Sequence, residues 1–226
     1  MGAIGNFDTE KASDKSSVLI ELHYLPSLEF FCQVISAKNL ILEAHEHYEK
    51  QSYRNRCYIN TDKGRQMLTV PVVKPNLKIS IRNVQIDYRS HWQNIHWRTI
   101  QSAYAKAPFF EHYSGGLKKL IYQKHEFLFD LNGQLLSFCL DNLKLKLLIS
   151  ETVSYQEKAE QQIFDLRGLI SSKNQSKLPS YYQPMPYHQV FGNAFVSNLS
   201  LIDILFCAGP ASLQILKASQ KVDLNK

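Results

Sequence analysis

The chain has 226 residues, 44% of them hydrophobic and 12% aromatic, enough to bury a substantial core. Its formal charge of +6 and pI near 9.0 are mildly basic. No Lys/Arg-rich block or aromatic-plus-basic ladder accompanies that charge, so no nucleic-acid partner is expected.

The polar stretch Met1–Ser17 has no apolar core of a signal peptide and is expected to be disordered. One α/β domain is expected over residues 18–220, and no run approaches the ~20 apolar residues of a membrane span. Cys32, Cys57, Cys139 and Cys207 form no C-x-x-C, and Cys32, Cys139 and Cys207 sit in apolar runs. That usage reads as buried free thiols in a reducing compartment, hence a cytoplasmic protein.

In chain order, the apolar run Val18–Leu22 reads as a strand, and Pro26 opens a helix carrying Leu28, Phe31, Cys32 and Ile35 at helical spacing. Residues 39–43 read as a second strand, which completes a parallel strand-helix-strand unit. Arg56–Asn60 and Gln66–Val72 flank the turn sequence Thr61–Gly64 and predict a hairpin, ended by Pro71 and Pro75. From Arg89 the pattern is helical: one helix to Ala107, another from Pro108 to about Tyr122, a third from about Glu126. Residues 147–150 are a candidate further strand of the first sheet. The stretch from Phe164 to Gln189 is rich in Pro, Ser, Tyr and Lys and reads as an extended loop. Ser200–Asp203 has capping-box spacing before an apolar helix, and Gly209-Pro210 stops that helix and starts the last one. The fold class expected is α/β, with a modest mixed sheet and a largely helical second half.

Chemistry is expected where the first strand ends. A helix N-terminus there would point free amides and a positive dipole end at the lip of a strand, a common seat for ligands, often anionic. His23 and Tyr24 stand at that lip, and Glu21, two residues back, shares a strand face with His23 and could orient it. Ala44-His-Glu-His-Tyr48 puts two histidines on one face, where Glu43 or Glu46 could complete a divalent-metal site with His23. H-x-H alone fixes no third ligand, so no metal is assigned. Tyr53-Arg-Asn-Arg-Cys57 sets two guanidiniums before a strand, with Arg56 able to fork a phosphate or carboxylate. Lys106 follows a helix end, Asp203 sits at a capping position, and Asn198 lies beside the terminal helix. No G-x-G-x-x-G, P-loop, G-x-S-x-G or H-E-x-x-H motif occurs, which argues against a standard dehydrogenase, P-loop enzyme, serine hydrolase or zincin. No cofactor is assigned.

Several pieces, in order, resemble one family. They are Tyr24-Leu-Pro26, Asn55-Arg56, Leu68-Thr-Val-Pro-Val72, Trp92, and Tyr104-Ala-Lys-Ala-Pro-Phe-Phe110 with Tyr113. Tyr187-His-Gln-Val-Phe191 and Asn198–Phe206 with Gly209-Pro210 complete the set. From about Val18 to Leu216 the chain resembles the WbqC-like family of bacterial proteins, in its shorter Bacteroidetes-type form. The family commonly opens His-Gln-Pro-Asn-Tyr-Leu-Pro; Ile20 and Glu21 replace the His and Gln here, and His23 replaces the Asn. The resemblance implies surface-polysaccharide work on sugar nucleotides or their amino-sugar derivatives. The expected function is a transferase moving an acyl-type group onto an activated sugar. His23 would be the base, Tyr24 and Glu21 its neighbours, and Asn55, Arg56, Lys106, Asn198 and Asp203 the substrate contacts. The alternatives are a non-catalytic module binding a sugar nucleotide or a partner protein, and a metal-dependent hydrolase acting through His45 and His47.

Overall fold

The computed structural model describes residues 17–73, 78–172, 182–192 and 194–221. The expected disorder of Met1–Ser17 lies outside them except at Ser17, which pairs in the first strand instead, and the role of Pro75 lies outside them too. Four strands form one parallel sheet: β1 (Ser17–Glu21), β2 (Asn39–Glu43), β5 (Leu148–Glu151) and β6 (Ile163–Asp165), in spatial order β5-β2-β1-β6. β1 is an interior strand, and Val18, Leu19 and Ile20 are all buried. A parallel strand covered on both faces reads as such a continuous apolar run rather than an alternating one. Register pairs Glu21 with Glu43, Leu42 with Glu151, and Leu19 with Asp165. The hairpin of β3 (Arg56–Thr61) and β4 (Gly64–Thr69) closes on the Thr61–Gly64 pair as a two-stranded antiparallel sheet of its own.

The α/β class holds, with helices filling the second half. α2 (Trp92–Tyr104), α3 (Phe110–Tyr122) and α4 (Leu128–Asn142) bracket the expected breaks, and α3 packs on α2, α4 and the helix Leu201–Ala208. α5 (Leu201–Ala208) and α6 (Ser212–Ala218) follow, separated by Gly209 at φ +52°. The stretch Leu201–Ala218 is long and apolar enough to cross a membrane by length and composition, with mean hydropathy 1.4. Half of it is buried in the core and Gly209-Pro210 breaks it, which marks it as core material.

Two expectations need correction. Phe164 and Asp165 belong to β6, a strand within the stretch expected to be loop. Pro26 does not open a helix: Leu25 is left-handed at φ +42°, Ser27 is the N-cap, and α1 spans Leu28–Val34.

Candidate functional site

Because β1, β2, β5 and β6 run parallel, their carboxyl ends share one edge, and each ends in or beside a carboxylate: Glu21, Glu43, Glu151 and Asp165. From β1 the chain turns to β2 on one side, while β6 arrives from far along the sequence on the other. This is the switch-point geometry at which open α/β sheets leave a crevice. Glu151 is tied to Arg82 at the rim. The other three carboxylates, with Glu46 from the loop after β2, surround two arginines.

Arg54 is 5% exposed and forks Glu46, donating from Nε to one oxygen at 2.6 Å and from Nη2 to the other at 2.5 Å. Its Nη2 also lies 3.9 Å from Glu21 Oε1, and Nη1 lies 3.4 Å from Glu49. Arg167, just past β6, forks Asp165 at 3.0 and 2.7 Å and donates from Nη1 to Glu43 at 2.7 Å. Glu43, wholly buried, also accepts from the His45 amide and the Thr152 hydroxyl. The Gly168 amide donates to Glu21 Oε2 at 3.0 Å. These bidentate, charge-assisted pairs hold the loops after β2 and β6 onto the sheet edge.

The electrostatics follow from burial against pairing. Burial pushes the Glu21 carboxyl up, but His23 and the Arg54 charge outweigh it and hold the group below its usual range. Burial wins at Glu46 and raises it, although Arg54 opposes. Burial also lowers His23, partly countered by Glu21 3.4 Å away, so the imidazole is neutral. Asp165 is lowered, its Arg167 contacts outweighing burial. Above the network a crevice of about 620 Å³ is lined by Glu46, His47, Tyr48, Glu49, Lys50, Arg54, Tyr155, Arg167 and Gly168.

The structure brings some of the expected site residues to this edge and sends others elsewhere. Glu21 and His23 meet beneath the crevice, 3.4 Å apart, although β1 ends at Glu21 and His23 lies just beyond it rather than on the strand. His23, however, is 0% exposed, enclosed by Tyr53 (ring centroids 5.4 Å, stacked) and Phe30 (5.2 Å), and neither ring nitrogen has a hydrogen-bond partner among the described residues. Tyr24 turns into the core, where its hydroxyl meets His96 Nδ1 at 2.9 Å. Since His96 Nε2 faces the Thr69 carbonyl at 3.1 Å, that nitrogen carries the proton and Nδ1 accepts from Tyr24. Asn55 is spent on the backbone of β4's exit, donating to the Val70 carbonyl. Arg56 begins β3 with its Nε buried and without a hydrogen-bond partner among the described residues. Lys106 is exposed beyond the end of α2. Neither Arg56 nor Lys106 lines the crevice.

Asn198 and Asp203 hold the far end of the molecule together. Asn198 accepts from the Glu29 amide and donates to the Glu29 carboxylate, while the Leu28 amide donates to the Leu199 carbonyl and the Phe30 amide to the Ser27 hydroxyl. The first amides of α1 are thereby consumed within the protein, so this helix end offers no open anion seat. Asp203 lies in the first turn of α5, where the Ser200 side chain makes no capping bond. It accepts instead from Tyr104 (2.7 Å), Tyr187 (2.5 Å) and Gln189 (3.1 Å). Burial raises its carboxyl despite those three donors. Among the described residues, no group of three or more His, Cys, Asp or Glu is arranged to hold a metal ion, and His45 and His47 are no exception.

Sequence reasoning undervalued Arg54 and missed Asp165 and Arg167 altogether. The legible trace was Asp165-Leu-Arg167, opposite charges two residues apart directly after the apolar pair Ile163-Phe164. A protein from Mycobacterium tuberculosis, the uncharacterized Rv1507c, is 28% identical over 144 residues, 63% of this chain and 62% of its own length. The chain therefore aligns with less than two thirds of that relative. No solved structure matches. The model of the WbqC-like protein family matches residues 22–175. That interval contains the whole loop after β2, the hairpin, α2–α4, β5, and the Asp165–Arg167 pair. The chain belongs to the WbqC-like protein family.

Proposed function

We propose that the chain is a cytoplasmic transferase of surface-polysaccharide precursor synthesis, moving an acyl-type group onto an activated sugar held in the carboxyl-edge crevice. The observation that carries this reading is the crevice itself. Its volume, about 620 Å³, falls within the ~300–1,000 Å³ usual for small-ligand sites. Its wall combines carboxylates and guanidiniums, which suit hydroxyl recognition, with Tyr48 and Tyr155 for the apolar faces of a ring. In the transfer, a lone pair on the acceptor oxygen or nitrogen forms a bond to the acyl carbon. The donor's bond to its leaving group breaks and takes its electron pair with it, and the acceptor's proton passes to a base. His47 is the imidazole on the crevice wall; His23 lies sealed beneath and acts there on Glu21.

The sealed His23 also favours a second reading, a non-catalytic module that binds the same ligand. One experiment separates the two. Calorimetric titration with nucleoside-diphosphate sugars is paired with mass spectrometry after incubation with acyl thioesters. Binding together with acyl gain on the sugar supports the transferase; binding without gain supports the module. Absence of binding to any activated sugar refutes both.

A further inference from the structure

We propose that β5 is an interaction edge, pairing antiparallel with the β5 of a second copy of this chain across a two-fold axis at Ser150, whatever the crevice holds. β5 ends the sheet order, and among the described residues no strand or bridge lies on its outer side. The Leu148 and Thr152 amides donate to the Lys38 and Leu42 carbonyls, toward β2. Alternation along the strand then turns the amides and carbonyls of Ile149 and Glu151 outward, away from β2. Parallel sheets are usually covered on both faces, yet all four β5 residues are exposed, Leu148 by 74%, and Val153 just beyond by 91%. Open edges are normally guarded by Pro, a bulge or a charge. No Pro occurs from Lys144 to Gln156, the register with β2 is unbroken, and the strand's one charge, Glu151, is held by Arg82.

The chemistry of the edge selects a copy of itself. With the axis at Ser150, Ile149 of each copy stands opposite Glu151 of the other. Both residues face outward, so each pair exchanges both of its N–H···O bonds. Between those pairs the two Ser150 residues meet as the close, non-hydrogen-bonded pair, where side-chain hydroxyls bond across the strands. On the opposite face the two Ile149 side chains are diagonal neighbours. Charge agrees with this orientation. The nearest charges flanking the strand are Lys146 before it and Glu157 after it, both exposed. An antiparallel copy lays each basic approach along the other's acidic exit, whereas a parallel copy would set like charge beside like. A two-fold contact of this kind closes on itself and leaves this edge used up. Tyr155, shortly past β5, lines the crevice, so the contact lies beside that site.

Sedimentation velocity on the full chain, diluted from about 100 μM, should show a dimer of twice 26.1 kDa. Ile149→Lys, a change at an exposed position, should raise the dimer dissociation constant about tenfold or more, because it sets like charges diagonally across the axis. Ser150→Cys should cross-link into a disulfide dimer under mild oxidation, since the close pair holds its Cα atoms ~4.5 Å apart. The native thiols Cys32, Cys57, Cys139 and Cys207 are buried and do not compete. Ser154→Cys, which this register keeps away from its own copy, should not cross-link. A monomer at every concentration overturns the pairing. Hydrogen exchange then says what the edge does instead: protected Ile149 and Glu151 amides mean that the chain covers its own edge, and freely exchanging ones leave it to a different protein. A dimer that ignores Ile149→Lys and leaves Ser150→Cys uncross-linked forms through another face and overturns the pairing as well.

Discussion

Replacing Arg54 by Met tests whether the carboxyl-edge network is as interdependent as its geometry implies. The side chain is 6% exposed, forks Glu46 at 2.6 and 2.5 Å, and faces Glu21 at 3.9 Å. Met fills much of the same volume, so the chief loss is charge. Breaking one side of a buried pair costs about 3–5 kcal/mol, because the partner is left charged and desolvated. For a chain of this size that is a fall of roughly 6–20 °C in melting temperature. The control is Arg89→Met. Arg89 forks Asp87 with contacts as short as 2.5 Å, yet it is 83% exposed, and its loss should leave the melting temperature nearly unchanged. The double variant Arg54→Met/Glu46→Gln should recover part of the loss, since the stranded carboxylate is gone and Glu21 retains His23. Thermal unfolding by circular dichroism reads all three. If Arg54→Met melts within a degree or two of Arg89→Met, the buried network described here does not exist in solution.

Other consequences are simpler to check. Burial holds His96 down to about 4 from its ordinary 6.5, so the unfolded chain binds more protons between those values. Stability from His96 is therefore complete above pH 6.5 and lost as pH falls toward 4, by about 3 kcal/mol. Denaturant unfolding should show His96→Gln losing less over that interval than the parent, and NMR should show the His96 ring not titrating above pH 5. Gly209→Ala places a Cβ 2.5 Å from the Phe109 ring at φ +52°, and should cost about 2 kcal/mol or more in the same assay. Burial pushes the four thiols up, Cys32 and Cys207 to about 12. A thiol reagent should label the folded chain slowly and all four positions at once in denaturant.

What the sequence disclosed and what it concealed divide along the range of the interactions involved. Ser17–Glu43 is local: an apolar run, a short apolar helix and a second run can be read without knowing anything else, and the hairpin announces itself through Asp62, Lys63 and Gly64. β6 is three half-buried residues whose only reason to be extended is a place beside β1, nearly 150 positions away in sequence. No local periodicity reports that. The same distance hides the site. Glu21 and His23 declare themselves two apart, at the end of β1 and just past it, but their electrostatic setting comes from Arg54 and from the Asp165–Arg167 pair, which the pairing of β1 with β6 brings alongside. Choosing Arg56 over Arg54 was a matter of which side of a strand start faces the sheet edge: Arg56 already belongs to β3, while Arg54 still belongs to the loop folded over the carboxylates.

The helix that looked most like an anion site shows the limit of reading a terminus in isolation. The first turn of α1 has the free amides that any helix start has. A segment more than 160 residues later brings the Asn198 side chain and the Leu199 carbonyl to the Glu29 and Leu28 amides, and an antiparallel bridge between Ser27 and Ser200 fixes it there. With these donors spent, the start of α1 has no open seat for an anion, although its local sequence pointed there.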